Sequence, residues 1–290
     1  TNVRDIEFNL FEVLGAEDYY GAGPFASMDS DQARMLIGEF ERFTRESSWA
    51  ESFVPADREP LHLSPEGDVT LPESLEQALR DYYEAGWHLL PLPESLGGFG
   101  APPTLRWIAA ELAAGGNATA SLWPIGPLMA GIIDRVGTEG QRARFALPMV
   151  ERTWGGTMVL TEPDAGSDVG AGTTRATKVA DTDDEDLGSV YHLEGIKRFI
   201  TSADATPLHE NTVHLALARP EGAGPGTKGL SLFIVPKYLV NADGSLGARN
   251  GVRVSNLEHK MGIKGSATSE LSLGQDGTPC VGYLVGDVHD

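Results

Sequence analysis

The hydrophobic pattern of this chain changes period near residue 153, and a single layer of helices or of sheet cannot absorb both patterns. Up to Arg152 the apolar residues recur at three- and four-residue spacing. Residues 31–49 carry Leu36, Phe40 and Phe43, with Ser30 as candidate N-cap. Residues 71–86 begin with Pro72 in the first turn, end at Gly86 and present Leu75, Leu79 and Tyr82 on one face. Residues 104–114 form another helix, closed by Gly115 and Gly116. Residues 121–136 are mostly apolar and interrupted by Pro124 and Pro127, so a buried segment with a helical second part is expected. Residues 138–150 open with the capping-box spacing Thr138 to Gln141, and Pro148 is expected to end or kink that helix. An irregular loop, residues 89–103, holds four prolines and three glycines. From Thr153 onward the period is two. Candidate strands are 154–160, 173–179, 191–200, 212–218, 230–235, 252–254 and 270–273, separated by turn clusters. The fold class is therefore α+β. An N-terminal arm (1–30) and an all-helical domain (31–153) precede a mostly antiparallel β-barrel domain (154–290).

Composition bounds the partners. The net charge of -20 argues against nucleic acid and against anionic membrane surfaces. No stretch approaches the roughly 20 apolar residues that span a bilayer, and the first residues lack the apolar core of a secretion signal. The one cysteine, Cys280 in TPCVGYL, excludes an internal disulfide framework, fits a reducing cytoplasm and reads as an inert buried thiol. The acidic run 181–186 reads as a solvated hairpin tip.

Several motifs fail on context. Gly224 to Gly229 matches G-x-G-x-x-G, but a strand follows it where a helix is required, so it reads as a hairpin connection. Residues 21–26 match a looser form with no strand before them. There is no G-x-S-x-G elbow and no H-E-x-x-H, and one cysteine cannot build a thiolate zinc site, so no metal is expected. His209 and His214 read as satisfied or surface residues. His259 borders a glycine- and lysine-rich loop and also reads as structural.

What survives is a constellation. Residues 158–168, MVLTEPDAGSD, run from an apolar strand into a turn. The strand is expected to hold nothing polar along its length. In the turn, Gly166 and its neighbours free backbone N–H groups, and Thr161 and Ser167 add hydroxyls. An ordinary turn accounts for the same residues when they are taken alone. Residues 195–201, GIKRFIT, end a strand with an aromatic and a hydroxyl. Residues 260–268, KMGIKGSAT, form a polar loop before another strand and could meet a phosphate-bearing substrate. An aromatic face beside hydroxyls and free amides is what a flavin requires, since its ring needs an apolar plane and its N5 edge needs donors.

TEPDAGSD (161–168) resembles the TEP-x-AGSD signature of acyl-CoA dehydrogenases, flavoproteins that oxidise acyl-CoA thioesters to trans-2-enoyl-CoA. GIKRFIT resembles their G-x-K-x-(W/F)-I-T strand. PLPESLGGFG (91–100), PGTKGLSLFIVP (225–236) and HKMGIKGSATSELSL (259–273) resemble further blocks in the family's order. The resemblance covers roughly residues 85 to 290, and the long N-terminal arm looks like the broad-range, long-chain branch. It implies FAD as cofactor. Met158, Leu160 and Thr161 would line the ring, and Gly166 and Ser167 would meet the pyrophosphate. Ser167 would also face the CoA part of the substrate, Phe199 would cover one flavin face and Thr201 would bond near N5. Many relatives carry tryptophan where Phe199 stands, which leaves open how electrons leave for a partner. The resemblance further implies an electron-transfer flavoprotein as acceptor and a homodimer or homotetramer. The family's catalytic glutamate belongs to a C-terminal four-helix domain, which the resemblance places beyond Asp290. No catalytic base is therefore assigned in this chain, which is expected to be an N-terminal part of a longer enzyme. The alternatives are an acyl-CoA oxidase and a non-catalytic flavin- or CoA-binding relative. The family's DNA-associated relative is disfavoured by the charge.

Overall fold

Asp29, one residue before the expected cap, opens the first long helix, Ser30–Glu46. Its side chain accepts from Gln32 N, and the Gln32 side chain accepts from Asp29 N, which completes a capping box. The computed structural model describes residues 2–179 and 186–288. The acidic run, apart from Asp186, lies outside the described residues. So does Asp290, the position beyond which the resemblance places the catalytic glutamate, and that expectation stays one of sequence. Two compact units divide the chain. One comprises residues 1–60, 71–124 and 261–265, and the other comprises 61–70, 125–260 and 266–290. The expected boundary at 153 falls inside the second unit.

The first unit is helical. Ser30–Glu46 buries Ala33, Ile37, Phe40 and Thr44. The helix Glu73–Glu84 follows Pro72 and buries Leu75, Leu79 and Tyr82, the stripe expected from its spacing. The chain then turns at Gly86, whose φ is +76°. The helix Pro103–Gly116 does not stop before its glycines. A Cβ at Gly116 would lie 2.5 Å from Thr44 O, so this glycine serves helix approach as well as termination. Buried Trp49 donates from Nε1 to Ala113 O (3.0 Å), and Asn117 returns a bond to Trp49 O (3.0 Å).

The second unit holds strands β1 (His62–Leu63), β2 (Val69–Thr70), β3 (Gly155–Val159), β4 (Arg175–Lys178), β5 (Val190–Ile200), β6 (Thr212–Pro220), β7 (Ser231–Pro236), β8 (Tyr238–Val240), β9 (Leu246–Arg249), β10 (Val252–Leu257), β11 (Ser269–Leu273) and β12 (Cys280–Val285). The pairings β5–β12, β12–β7, β7–β6, β6–β4 and β4–β5 close a circuit, as a barrel requires. Most pairs are antiparallel, whereas β3 and β4 each run parallel to β6. β1, β2, β8, β9 and β12 were not expected from the sequence. Four of these are too short to show a period. β12 is central, and its Gly282 sits where a Cβ would come within 2.6 Å of Leu193. The excursion 61–70 is fastened by buried charge. Lys237 Nζ meets Asp68 (2.8 Å) and Asp204 (2.7 Å), and Asp204 accepts from Val69 N (2.8 Å).

Helical segments complete this unit. The capping box of Thr138 and Gln141 forms as expected. Pro148 does not end the helix, which continues to Glu151. A π-helical turn, Arg142–Ala146, precedes the proline and absorbs the missing N–H and the ring clash in its wider spacing. Among the described residues no helix is long and apolar enough to cross a membrane.

Candidate functional site

β3 alternates, so Met158 and Leu160 share one face while Thr157 and Val159 are buried on the other. The buried face is not wholly apolar, contrary to expectation. Thr157 Oγ1 lies 2.7 Å from His214 Nδ1, and burial, followed by the charge of Lys237, pushes the His214 pKa down to about 3. His214 is thus a satisfied, neutral core residue. His259 is exposed.

Met158 and Leu160 open onto a cleft of about 300 Å³, lined also by Ile125, Thr161, Phe199, Ile200 and Thr201. Five of the seven residues expected at the site therefore meet in one cavity: Met158, Leu160, Thr161, Phe199 and Thr201. The lining is aliphatic and aromatic, with two hydroxyls and no carboxylate.

Phe199 reaches the cleft through a break in strand phase. Along β5, Tyr191, Leu193 and Lys197 are buried, so strict alternation would bury residue 199 as well. The register against β11 instead runs from Leu271↔Lys197 to Ser269↔Ile200, which sets one residue, Glu270, against two, Arg198 and Phe199. The extra residue takes the left-handed conformation, with φ of +61° at Phe199. Phase inverts there. Ile200 is buried, and Phe199 is left 52% exposed, with the Arg198 guanidinium 5.0 Å from its ring centroid.

Ile125 enters through glycine packing. A Cβ at Gly126 would stand 2.4 Å from Trp154 O, and one at Gly156 would stand 2.8 Å from Gly126 Cα. The helix Gly126–Val136 can approach β3 this closely only because both positions lack a side chain. Ile125 was not among the residues expected to contact the flavin, since nothing in its local pattern separates it from a core residue. Ile200, flanked by two expected residues, carried no separate signal.

Beyond Thr161 the chain folds back at Pro163 and Asp164, with Glu162 and Ala165 exchanging backbone bonds (3.0 and 3.2 Å). Gly166 and Ser167 follow. They are exposed and lie outside the lining of the cleft. A Cβ at Gly166 would meet only Thr161 Cγ2, at 3.8 Å, so the chain's own packing does not demand glycine there. Glu162, immediately before this turn, is buried. It accepts from Thr173 N (2.6 Å), Thr173 Oγ1 (3.0 Å) and Thr174 N (3.0 Å), and it pairs with Lys197 Nζ (2.9 Å). Burial raises its pKa, but the bonds from Thr174, Lys197 and Thr173 together with the lysine charge outweigh this and hold it at about 2. Lys197 is likewise buried, and its pKa is lowered by desolvation against the opposing pull of Glu162. Neither partner was singled out from the sequence. A charged residue at an inward strand position of GIKRFIT was the available signal.

Residues 224–229 connect β6 to β7 as expected. Arg219 donates to Gly170 O (2.8 Å) and Gly226 O (3.2 Å), tying this hairpin to the loop after Ser167. In the third expected segment, Lys260 Nζ bonds Ser266 Oγ and Thr268 Oγ1 (2.7 Å), while residues 261–265 belong to the helical unit. Cys280 is fully buried, and its thiol pKa is pushed up by burial and by Asp276. Among the described residues no group of three or more His, Cys, Asp or Glu side chains is arranged to hold a metal ion.

A helical unit joined to a closed, mostly antiparallel β unit, with an apolar, hydroxyl-edged cleft at the end of β3 and β5, defines the class. Residues 31–153 match the family model described as acyl-CoA dehydrogenase, N-terminal domain, and residues 157–275 match that of acyl-CoA dehydrogenase, middle domain. The chain belongs to the acyl-CoA dehydrogenase family. It is 50% identical over 292 residues to a broad-specificity linear acyl-CoA dehydrogenase of Mycobacterium tuberculosis, covering 100% of this chain and 46% of that protein. It is 34% identical over 288 residues to 3-methylmercaptopropionyl-CoA dehydrogenase of Ruegeria pomeroyi, covering 98% and 46%. The crystal structure of a probable acyl-CoA dehydrogenase from Mycobacterium abscessus superposes with a TM-score of 0.64 at 25% identity, covering 91% of this chain and 60% of that one. The chain thus spans about half the length of the curated relatives it matches.

Proposed function

We propose that this chain forms the flavin-binding part of an FAD-dependent enzyme that dehydrogenates acyl-CoA thioesters to trans-2-enoyl-CoA. The observation that carries the proposal is the convergence of Met158, Leu160, Thr161, Phe199 and Thr201 on one cleft. Its residues fit the cofactor. Met158, Leu160, Ile125 and Phe199 offer the apolar planes an isoalloxazine ring needs, and Thr161 and Thr201 offer hydroxyl donors for its polar edge. Gly166, which no internal contact requires to be glycine, leaves room for a pyrophosphate to approach the backbone, with Ser167 beside it and toward the CoA moiety. Bound FAD would supply the acceptor for the hydride leaving the β-carbon. The protein's part is to hold the ring, exclude water with the aliphatic wall, and place hydroxyl donors where charge develops on reduction. The cleft lining contains no carboxylate, so the base that takes the α-proton is proposed to come from outside it.

An electron-transfer flavoprotein is the proposed acceptor, and a homo-oligomer the proposed assembly. The single buried cysteine supports a reducing compartment, the cytoplasm. The direct test is addition of FAD to the apoprotein. A yellow complex with a structured visible circular dichroism is expected, and substitution of Thr161 or Thr201 by Val should weaken it. Failure of FAD to bind contradicts the proposal, and hydrogen peroxide formed on turnover in air would redirect it to an oxidase.

A further inference from the structure

We infer that Glu162 and Lys197 form a positioning pair for the flavin cleft, an inference that rests on the flavin reading above. Each partner adjoins the lining. Glu162 follows Thr161, and Lys197 precedes Phe199 by two residues and Thr201 by four. Lys197 Nζ donates both to Glu162 Oε1 (2.9 Å) and to Leu160 O (3.0 Å), so one ammonium grips the chain on both sides of Thr161. A parallel backbone bond runs from Arg198 N to Thr161 O (2.9 Å). The two walls of the cleft, the end of β3 and the end of β5, are thereby locked together.

Glu162 performs a second closure. Its carboxylate collects Thr173 N, Thr173 Oγ1 and Thr174 N, residues that lie at the far end of the loop carrying Gly166 and Ser167. The base of that loop is clamped by a single side chain. Both partners are almost wholly buried, with 2% exposure for Lys197 and 5% for Glu162. Burying two charges is costly, and neutral residues of similar volume often serve stability equally well. Stability alone therefore does not explain the pair, whereas a fixed spacing between the loop and the two strand ends does.

The test compares wild type with Glu162→Gln, Lys197→Met and the double variant, each first characterised without FAD by far-ultraviolet circular dichroism and thermal melting. Glutamine keeps one of the two acceptor oxygens and turns the other into a donor, and the double variant leaves no lone buried charge. Added FAD is then titrated, and the visible circular dichroism of the bound flavin is recorded. The double variant should melt close to wild type yet bind FAD about tenfold more weakly or worse, with an altered visible spectrum. Glu162→Gln, which retains an acceptor for Lys197, should fall between. A folded double variant with wild-type affinity and spectrum overturns the inference. So does failure of all three variants to fold, which would make the pair a stability element. Wild type that binds no FAD overturns the flavin reading itself, a result distinct from both.

Discussion

Glu162 carries a charge where solvent does not reach, and its protonation is tied to folding. Its pKa lies at about 2 against an ordinary 4.5, so the unfolded chain binds a proton there before the folded one does. The stability it contributes is complete above about pH 4.5 and is lost as the pH falls toward 2. The difference in denaturation free energy between wild type and Glu162→Gln should therefore be largest above pH 4.5 and shrink below it, measured by urea unfolding across that range. A pH-independent difference contradicts the assignment. Phe199 is the other residue whose cost is visible. A non-glycine residue in the left-handed region costs about 1–2 kcal/mol, and half of this ring is exposed. Phe199→Gly should leave stability unchanged or raise it by up to about 1 kcal/mol while weakening FAD binding, and the two effects are read from melting curves and from FAD titration. A loss of stability would show that the ring is held by packing rather than imposed by the bulge.

Elements with a long, clean period were legible, and those shaped by close approach were not. The stripe Leu75, Leu79 and Tyr82 specified its helix because each turn repeats the same burial. β5 and β6 were readable to within a residue or two at each end because they are long. Gly115 and Gly116 signalled a helix end, and the helix does stop at Gly116, but Gly116 also serves close packing against Thr44, a use that looks identical in one dimension. Pro148 suggested a break that the preceding π-turn removes. Gly126 and Gly156 belong to the same class of hidden contact. Gly126→Ala should cost about 1–3 kcal/mol, because its Cβ would fall 2.4 Å from Trp154 O. Thermal unfolding checks this, and a neutral substitution would show that the helix can retreat from β3.

On the scale of the molecule, the α+β order was legible from the change of period, but membership of the two units was not. Residues 61–70 and 125–153 read as part of a helical stretch, yet they cluster with the β unit. Charge pairs such as Lys237 with Asp68 and Asp204 bring the former there, and sequence spacing carries no trace of partners so far apart. The site behaved likewise. The contiguous runs MVLTEPDAGSD and GIKRFIT pointed to five residues of the cleft, because each run keeps its site residues close together in sequence. The contact of Ile125 with this cleft and the pairing of Glu162 with Lys197 were not read, because both depend on approach across the fold. The bulge at Phe199 could not be read at all, since only pairing with β11 reveals the extra residue.

The proposed role of this cleft is to hold a flavin that receives hydride from an acyl-CoA, and anaerobic titration of the FAD-loaded holoenzyme, with the base proposed from outside the cleft present, by a saturated acyl-CoA tests it most directly. The visible flavin band is expected to bleach with enoyl-CoA formed in proportion. A flavin that stays fully oxidised, with acyl-CoA bound and no enoyl product, would contradict the account.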